Sequence, residues 1–224
     1  MWYKLNWMIL VVAVVLATGT AQATSLFSED FENGLNQWTG KNYGSYQAVI
    51  VPDPLRPGNH VVSFSGTTNG GDIFSVPATT LTEGQQYSFS LEYLGRAVYN
   101  SIPDNYGGFA SISDVVVPDN FYLTWPWIFG TQADYPLLQV HLIDDGQWRS
   151  YSYDFVWHKS DFNTQYDNIH VMLEDFSSSG NTVGDVFFDN VQINAVPEPS
   201  TLVLLGMGAF SLLAFAWRRR KRIG

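Results

Sequence analysis

Hydrophobic residues run unbroken near the start and near the end of this chain, and between those runs they alternate with polar residues. Tyr87, Phe89, Leu91 and Tyr93 take turns with Ser88, Ser90 and Glu92. A period of two puts one face of a strand into a core and the other into water. The same beat returns in Tyr151, Tyr153, Phe155 and Trp157, and again in Ile169, Val171 and Leu173. Further strands are predicted over 47–51, 61–65, 108–117, 137–143 and 185–194. Pro52-Asp53-Pro54, Asn69-Gly70-Gly71-Asp72, Asp144-Asp145-Gly146 and the stretch 177–181 separate them as turns. No amphipathic helical period is sustained between 24 and 195. The pattern predicts an all-β ectodomain, an antiparallel two-sheet β-sandwich of jelly-roll type, in one domain over 24–195.

The two unbroken runs predict export. Lys4, an apolar core over 7–17 and the small-x-small triplet Ala21-Gln22-Ala23 form a signal peptide over 1–23, cleaved after Ala23. At the other end come Pro197-Glu198-Pro199, an apolar run over 202–217, and Arg218, Arg219, Arg220, Lys221 and Arg222. Proline fixes φ and lacks an N–H, so Pro197 and Pro199 keep a helix from running upstream. At ~1.5 Å per residue the run makes a transmembrane helix of about 24 Å, near the short end of spanning lengths. Trp217 suits the interface and the basic cluster favours the cytoplasmic side, so the domain is expected outside and the tail inside.

That order of parts over 196–224 resembles the PEP-CTERM sorting signal of Gram-negative bacteria. The resemblance implies an exosortase-type membrane peptidase as partner, cutting near Pro197-Glu198-Pro199, and at least transient anchoring in the inner membrane. It also implies a final place at the cell surface or in an extracellular polysaccharide or biofilm matrix. An ordinary anchor that is never processed is the other reading of the same residues.

Charge narrows the partners. The whole chain carries a formal −10, but the span 24–195 has five Lys or Arg against twenty Asp or Glu, a balance of −15. Nucleic acid is excluded, because phosphate binding needs clustered cations. Neutral polysaccharides and divalent cations suit such a surface better. Cysteine is absent, which removes thiol catalysis and disulfides.

Phe27-Ser28-Glu29-Asp30-Phe31-Glu32-Asn33-Gly34 with Trp38, the closing segment Val186-Phe187-Phe188-Asp189-Asn190-Val191-Gln192-Ile193, and Gly146-Gln147-Trp148 between them resemble jelly-roll carbohydrate-binding and galactose-binding-like modules. Asp189 shares parity with Phe187, Val191 and Ile193, which are expected to face the core. An ionised carboxylate there needs a partner. The resemblance implies a structural calcium between first and last strands, held by Glu32 and Asp189. Acceptance of backbone N–H bonds at a strand edge is the alternative for Asp189. Asp144-Asp145-Gly146 is expected to be a solvated hairpin turn.

Phe121, Tyr122, Trp125, Trp127, Phe129 and Tyr135 crowd a proline-broken segment. Tyr122, Trp125 and Trp127 are the candidate glycan platform, since aromatic faces stack on sugar rings. A hydrophobic cluster beneath a long loop is the competing reading. Trp38, Trp148 and Trp157 are expected in the core. His60, His141, His158 and His170 lack metal-helix spacing and are expected to be structural. No Gly-x-Ser-x-Gly elbow occurs, and no catalytic residue is nominated. The sequence therefore predicts an exported, non-catalytic glycan-binding or biofilm-matrix module. A structural surface protein without small ligand, or a polysaccharide-active enzyme such as a lyase on the same fold, are the alternatives.

Overall fold

The computed structural model describes residues 23–40, 48–64, 71–95, 107–114, 116, 128–131, 138–162, 164, 166–175, 186–197, 208 and 211. The chain divides into two compact units, one of residues Ser25–Ala195 and one of Met1–Thr24 with Val196–Gly224. Among the described residues no helix is long and apolar enough to cross a membrane. The signal-peptide core, Glu198, Pro199, the 202–217 run apart from Gly208 and Ser211, the basic cluster and the platform residues Tyr122, Trp125 and Trp127 lie outside the described residues.

Two sheets form the larger unit. In the first the order is β11 (Arg149–Val156), β7 (Gln86–Gly95), β13 (Val186–Ala195), β4 (His60–Ser63) and β3 (Val49–Pro52), with β1 (Thr24–Glu29) also on β13. The second runs β10 (Val140–His141), β9 (Phe129–Gly130), β8 (Gly108–Ser113), β12 (Asn168–Asp175), β5 (Gly71–Ser75) and β2 (Trp38–Thr39), with β6 (Thr79–Thr80) on β12. Neighbours are antiparallel wherever their register is recorded, except β9 with β10. The all-β, two-sheet expectation holds.

Alternation builds the core as the sequence predicts. Tyr87, Phe89, Leu91 and Tyr93 from β7 meet Ile169, Val171 and Leu173 from β12 in one large cluster. The opening motif closes its lower corner: Trp38 stacks on Phe31 at 5.7 Å and meets Phe27 edge-on at 5.9 Å. Its indole N–H donates to Glu29 Oε2 at 3.1 Å, which satisfies a buried carboxylate. Trp38 and Trp157 are buried as expected.

Two expectations are corrected. Asp189 does not share a face with Val191 and Ile193, because β13 carries a bulge against β7 between Asp189 and Gln192. Asn190 at φ 49° absorbs the extra residue. One inserted residue exchanges the faces: Val186 and Phe188 point inward before it and Val191 and Ile193 after it. Phe187 and Asp189 point outward, Phe187 into a small cluster with Val61 and Leu94. Trp148 packs on that outer cluster rather than in the core. His170 belongs to the outward face of β12 yet is buried, its Nδ1 at 2.6 Å from the Ser75 carbonyl. Around it the outward-facing Phe74, Ser111, Ser113 and Met172 are buried too, so this face of the seven-stranded sheet is not open.

Candidate functional site

Two features lie where a partner could reach them. The first is a groove of about 390 Å³ where the β11 edge of one sheet approaches Ile128 and Gln139, beside β9 and β10 of the other. That volume lies within the range of small-ligand sites. Its apolar wall is aromatic. Tyr153 and Phe155 stand two apart on β11 and stack at 6.1 Å with planes only 10° apart. Phe162 closes on Phe155 at 5.8 Å and on Trp157 at 4.8 Å. Tyr153 is half-buried, so part of its side chain remains reachable.

The groove's polar rim is Gln139, Asp154, His158 and Asp161. Tyr153 donates its hydroxyl to Gln139 Oε1 at 3.4 Å. His158 is fixed by Glu83, which accepts from its Nδ1 at 2.9 Å and from the Lys159 amide at 3.1 Å. Those bonds hold Glu83 below the ordinary carboxylate range, the His158 bond most. The backbone locks the same corner: Trp157 donates to Gln85 and accepts from Gly84. Among the described residues neither Lys nor Arg lines the groove. Flat apolar rings beside amide, imidazole and carboxylate groups match the two surfaces of a neutral sugar, its C–H face and its hydroxyl rim.

The second feature is a cation among carboxylates on the outward face of β7 and β13. Pro54, Pro57 and Gly58 (φ 86°) shape the turn that follows β3. Asp53 tightens it, its Oδ1 accepting from the amides of Leu55 at 2.8 Å and Arg56 at 3.0 Å. Arg56 then reaches Asp53 at 2.6 Å, Glu92 at 2.6 Å and Asp189 at 3.1 Å. Its guanidinium lies 4.1 Å over the Trp148 ring, and that indole N–H donates to Asp53. Asn59 donates to both Asp53 and Asp189.

Electrostatics follow from this wiring. Burial pushes the Asp53 carboxyl up, but the Leu55 amide, Arg56, Trp148 and Asn59 outweigh it and hold it well below the ordinary range. Glu92 is likewise lowered, burial being outweighed by Arg56 and Asn190. Burial wins only at Asp189, which is raised despite Asn59, the Asn190 amide and Arg56.

The expected calcium pair is thus distributed over different partners. Glu32 sits at the surface, accepting from the His60 amide at 2.7 Å and facing its Nδ1 at 2.8 Å. Asp189 is met by Arg56, Asn59 and the Asn190 amide. Among the described residues no cluster of three His, Asp or Glu is placed to hold a metal ion. Asp144 is more than a turn residue, since it accepts the buried Tyr93 hydroxyl at 2.6 Å. A side chain at Gly95 would run into the Asp144 carboxylate and the Tyr93 hydroxyl and displace that pair.

Neither the surface at Tyr153 nor the role of Arg56 is among the expectations drawn from the sequence. The chain carries no separate signal for Tyr153, since Tyr87 and Tyr93 alternate in the same way on β7 and are core. Arg56 has one, a rare cation inside a turn of prolines and asparagine.

Comparison with known proteins adds two findings. Residues 195–221 match the PEP-CTERM protein-sorting motif. No curated protein is similar in sequence at a significant level. Among solved structures, the tandem CBM22-1–CBM22-2 domain of Paenibacillus barcinonensis Xyn10C is similar at 16% identity and a TM-score of 0.52. The match covers 79% of this chain and 51% of that one, so this chain spans about half the tandem. Its CBM22-1 xylan-binding domain alone aligns over 80% of this chain and 99% of itself at 14% identity, TM-score 0.47. The globular domain of T. cruzi calreticulin is similar at 11% identity over 90% of this chain and 100% of that one, TM-score 0.50. Identities this low establish the sandwich fold alone.

Proposed function

We propose that a chain bearing the PEP-CTERM sorting motif on a β-sandwich is an exported, non-catalytic glycan-binding protein of the cell surface or extracellular matrix. The groove at β11 carries this reading: an aromatic surface beside a rim of amide, imidazole and carboxylate groups, with no Lys or Arg among the described residues that line it. An ectodomain balance of −15 points to neutral rather than anionic polysaccharide. Residues 1–23 act as the export signal, and 202–217 with the basic cluster hold the chain in the inner membrane until an exosortase-type peptidase acts near Pro197-Glu198-Pro199.

Binding without hydrolysis is the favoured mode. Asp161 is exposed in the groove and Asp154 stands on the outer side of an edge strand. A general acid of this kind works from a dry setting, and both carboxylates are open to water. The test is a glycan array probed with wild-type and Tyr153→Ala protein, followed by assay of bound glycans for released reducing ends. Retention lost in Tyr153→Ala with no sugar released is the expected result. Retention unchanged in Tyr153→Ala would discard the groove, and sugar release would make the protein an enzyme.

A further inference from the structure

The groove does not end at the β11 edge. Asp154 lines it and belongs to the outward face of the six-stranded sheet, where it pairs with Ser88 of β7, which pairs in turn with Asn194 of β13. The next row repeats the arrangement: Ser152 with Ser90, and Ser90 with Gln192. All six are at least partly exposed. Ser88 and Ser152 already hydrogen-bond at 2.9 Å, linking the two rows. Beyond them the face changes character at Ser150, Glu92 and Asp189, where Arg56 is seated.

Two rows of hydroxyl, amide and one carboxylate group therefore cross three strands at right angles to them. Adjacent strands lie about 4.8 Å apart, so a chain crossing the sheet meets a new polar group at intervals of about that length, near one sugar ring. Neither row contains a large apolar side chain or a cation. Such a surface offers hydrogen bonds to hydroxyls and no pairing for phosphate, sulfate or carboxylate groups.

We infer that the groove is one end of a longer site, and that a neutral polysaccharide chain stacked at Tyr153 continues past Asp154 across Ser88, Ser152, Ser90, Asn194 and Gln192. This inference rests on the groove being a glycan site. It assigns the ligand class as internal stretches of an extended neutral polymer rather than chain ends or single sugars. Binding energy is divided accordingly. Stacking in the groove serves ligands of every length, and the polar rows serve only those long enough to reach them.

Graded oligosaccharides test this division. Full-length protein in a polyoxyethylene detergent, which carries no sugar, is titrated with xylo-, cello- and manno-oligosaccharides, each as disaccharide and hexasaccharide. Ser88→Ala with Asn194→Ala is expected to weaken hexasaccharide binding about tenfold, the effect of losing two ordinary hydrogen bonds, and to leave the disaccharide unchanged. Ser88→Thr keeps the hydroxyl and a strand-favouring side chain, and should retain hexasaccharide binding. Tyr153→Ala should weaken both lengths together. Equal loss for both lengths in the alanine pair, or no loss for either, overturns the extended site while leaving the groove in place. Failure of the wild-type protein to bind any member of the panel overturns both.

Discussion

Strands β7 and β11 are neighbours with the same alternating sequence pattern, paired residue for residue over eight positions. Yet they do different work. On β7 the inward residues Tyr87, Phe89, Leu91 and Tyr93 are at most 2% exposed. On β11 only Phe155 is comparably buried, while Tyr151 and Tyr153 are half-open. The cause is place in the sheet: β7 is covered on both sides by β11 and β13, and β11 is the last strand of the order. An aromatic ring at a central position can only be core. The same ring at an edge keeps a reachable surface, and here that surface forms a groove wall.

The largest effect that separates the two strands is a truncation on β7. Phe89→Ala should cost about 3–5 kcal/mol of unfolding free energy, measured by denaturant melting, because a buried ring leaves a cavity the sheets cannot close. Its contact with Phe129 across the sheets, centroids 5.0 Å apart, goes with it. Tyr153→Ala should cost about 1 kcal/mol, the scale of one aromatic pair, and show itself in binding instead. If Tyr153→Ala destabilised as much as Phe89→Ala, the edge ring would be core after all.

Second in size comes Arg56→Ala, which leaves Asp53, Glu92 and Asp189 facing one another. Breaking a fully buried ion pair costs about 3–5 kcal/mol; with 35% of its side chain exposed, Arg56 should cost about 1–3. The same experiment examines the calcium pair. A calcium joining Glu32 to Asp189 raises the melting temperature of wild type and not of Asp189→Ala. With Arg56, Asn59 and His60 already meeting those carboxylates, the expected outcome is no calcium shift in wild type.

The smallest effect is the pH dependence of this cluster. Asp53 and Glu92 are lowered, so the stability they contribute is complete above the ordinary Glu value of 4.5 and is lost as pH falls through their lowered values. Asp189 is raised and acts in the opposite sense, because its charged form is the costly one in the fold and acid removes that cost. Melting temperature should therefore stay level or rise slightly as pH falls from neutral towards the ordinary Glu value of 4.5, then fall in stronger acid. Asp189→Asn should reduce the shallow rise, part of which belongs to Asp144, also raised by burial, and keep the fall. A steady fall from neutral pH would show that the Asp189 carboxyl is not raised.

Much of the architecture is written in local periodicity. The alternation of β7, β11 and β12 announces strands and inward residues because the pleat alone alternates side chains, whatever the neighbours are. Strand ends were less legible: the apolar stretch 137–143 yields only the two-residue β10. The sorting motif is likewise local, a linear order of proline, apolar run and basic cluster, and its match over 195–221 needs no fold to be recognised.

Position relative to other strands is what periodicity does not contain. Tyr153 and Phe89 are indistinguishable along the chain, and only the order of strands makes one a wall and the other a core. Parity misplaces Asp189 for a related reason. A single residue inserted at Asn190 reverses the alternation, and nothing in Phe188-Asp189-Asn190-Val191 marks the bulge except a residue tolerant of positive φ. Arg56 meets Glu92 and Asp189 across 36 and 133 residues of sequence. The sequence by itself determined which residues alternate, where turns fall and that the chain carries a sorting tail, since each depends on near neighbours. Only the tertiary structure decided which strand lies at an edge, which face a bulge turns outward and which charges meet, because those depend on long-range pairing.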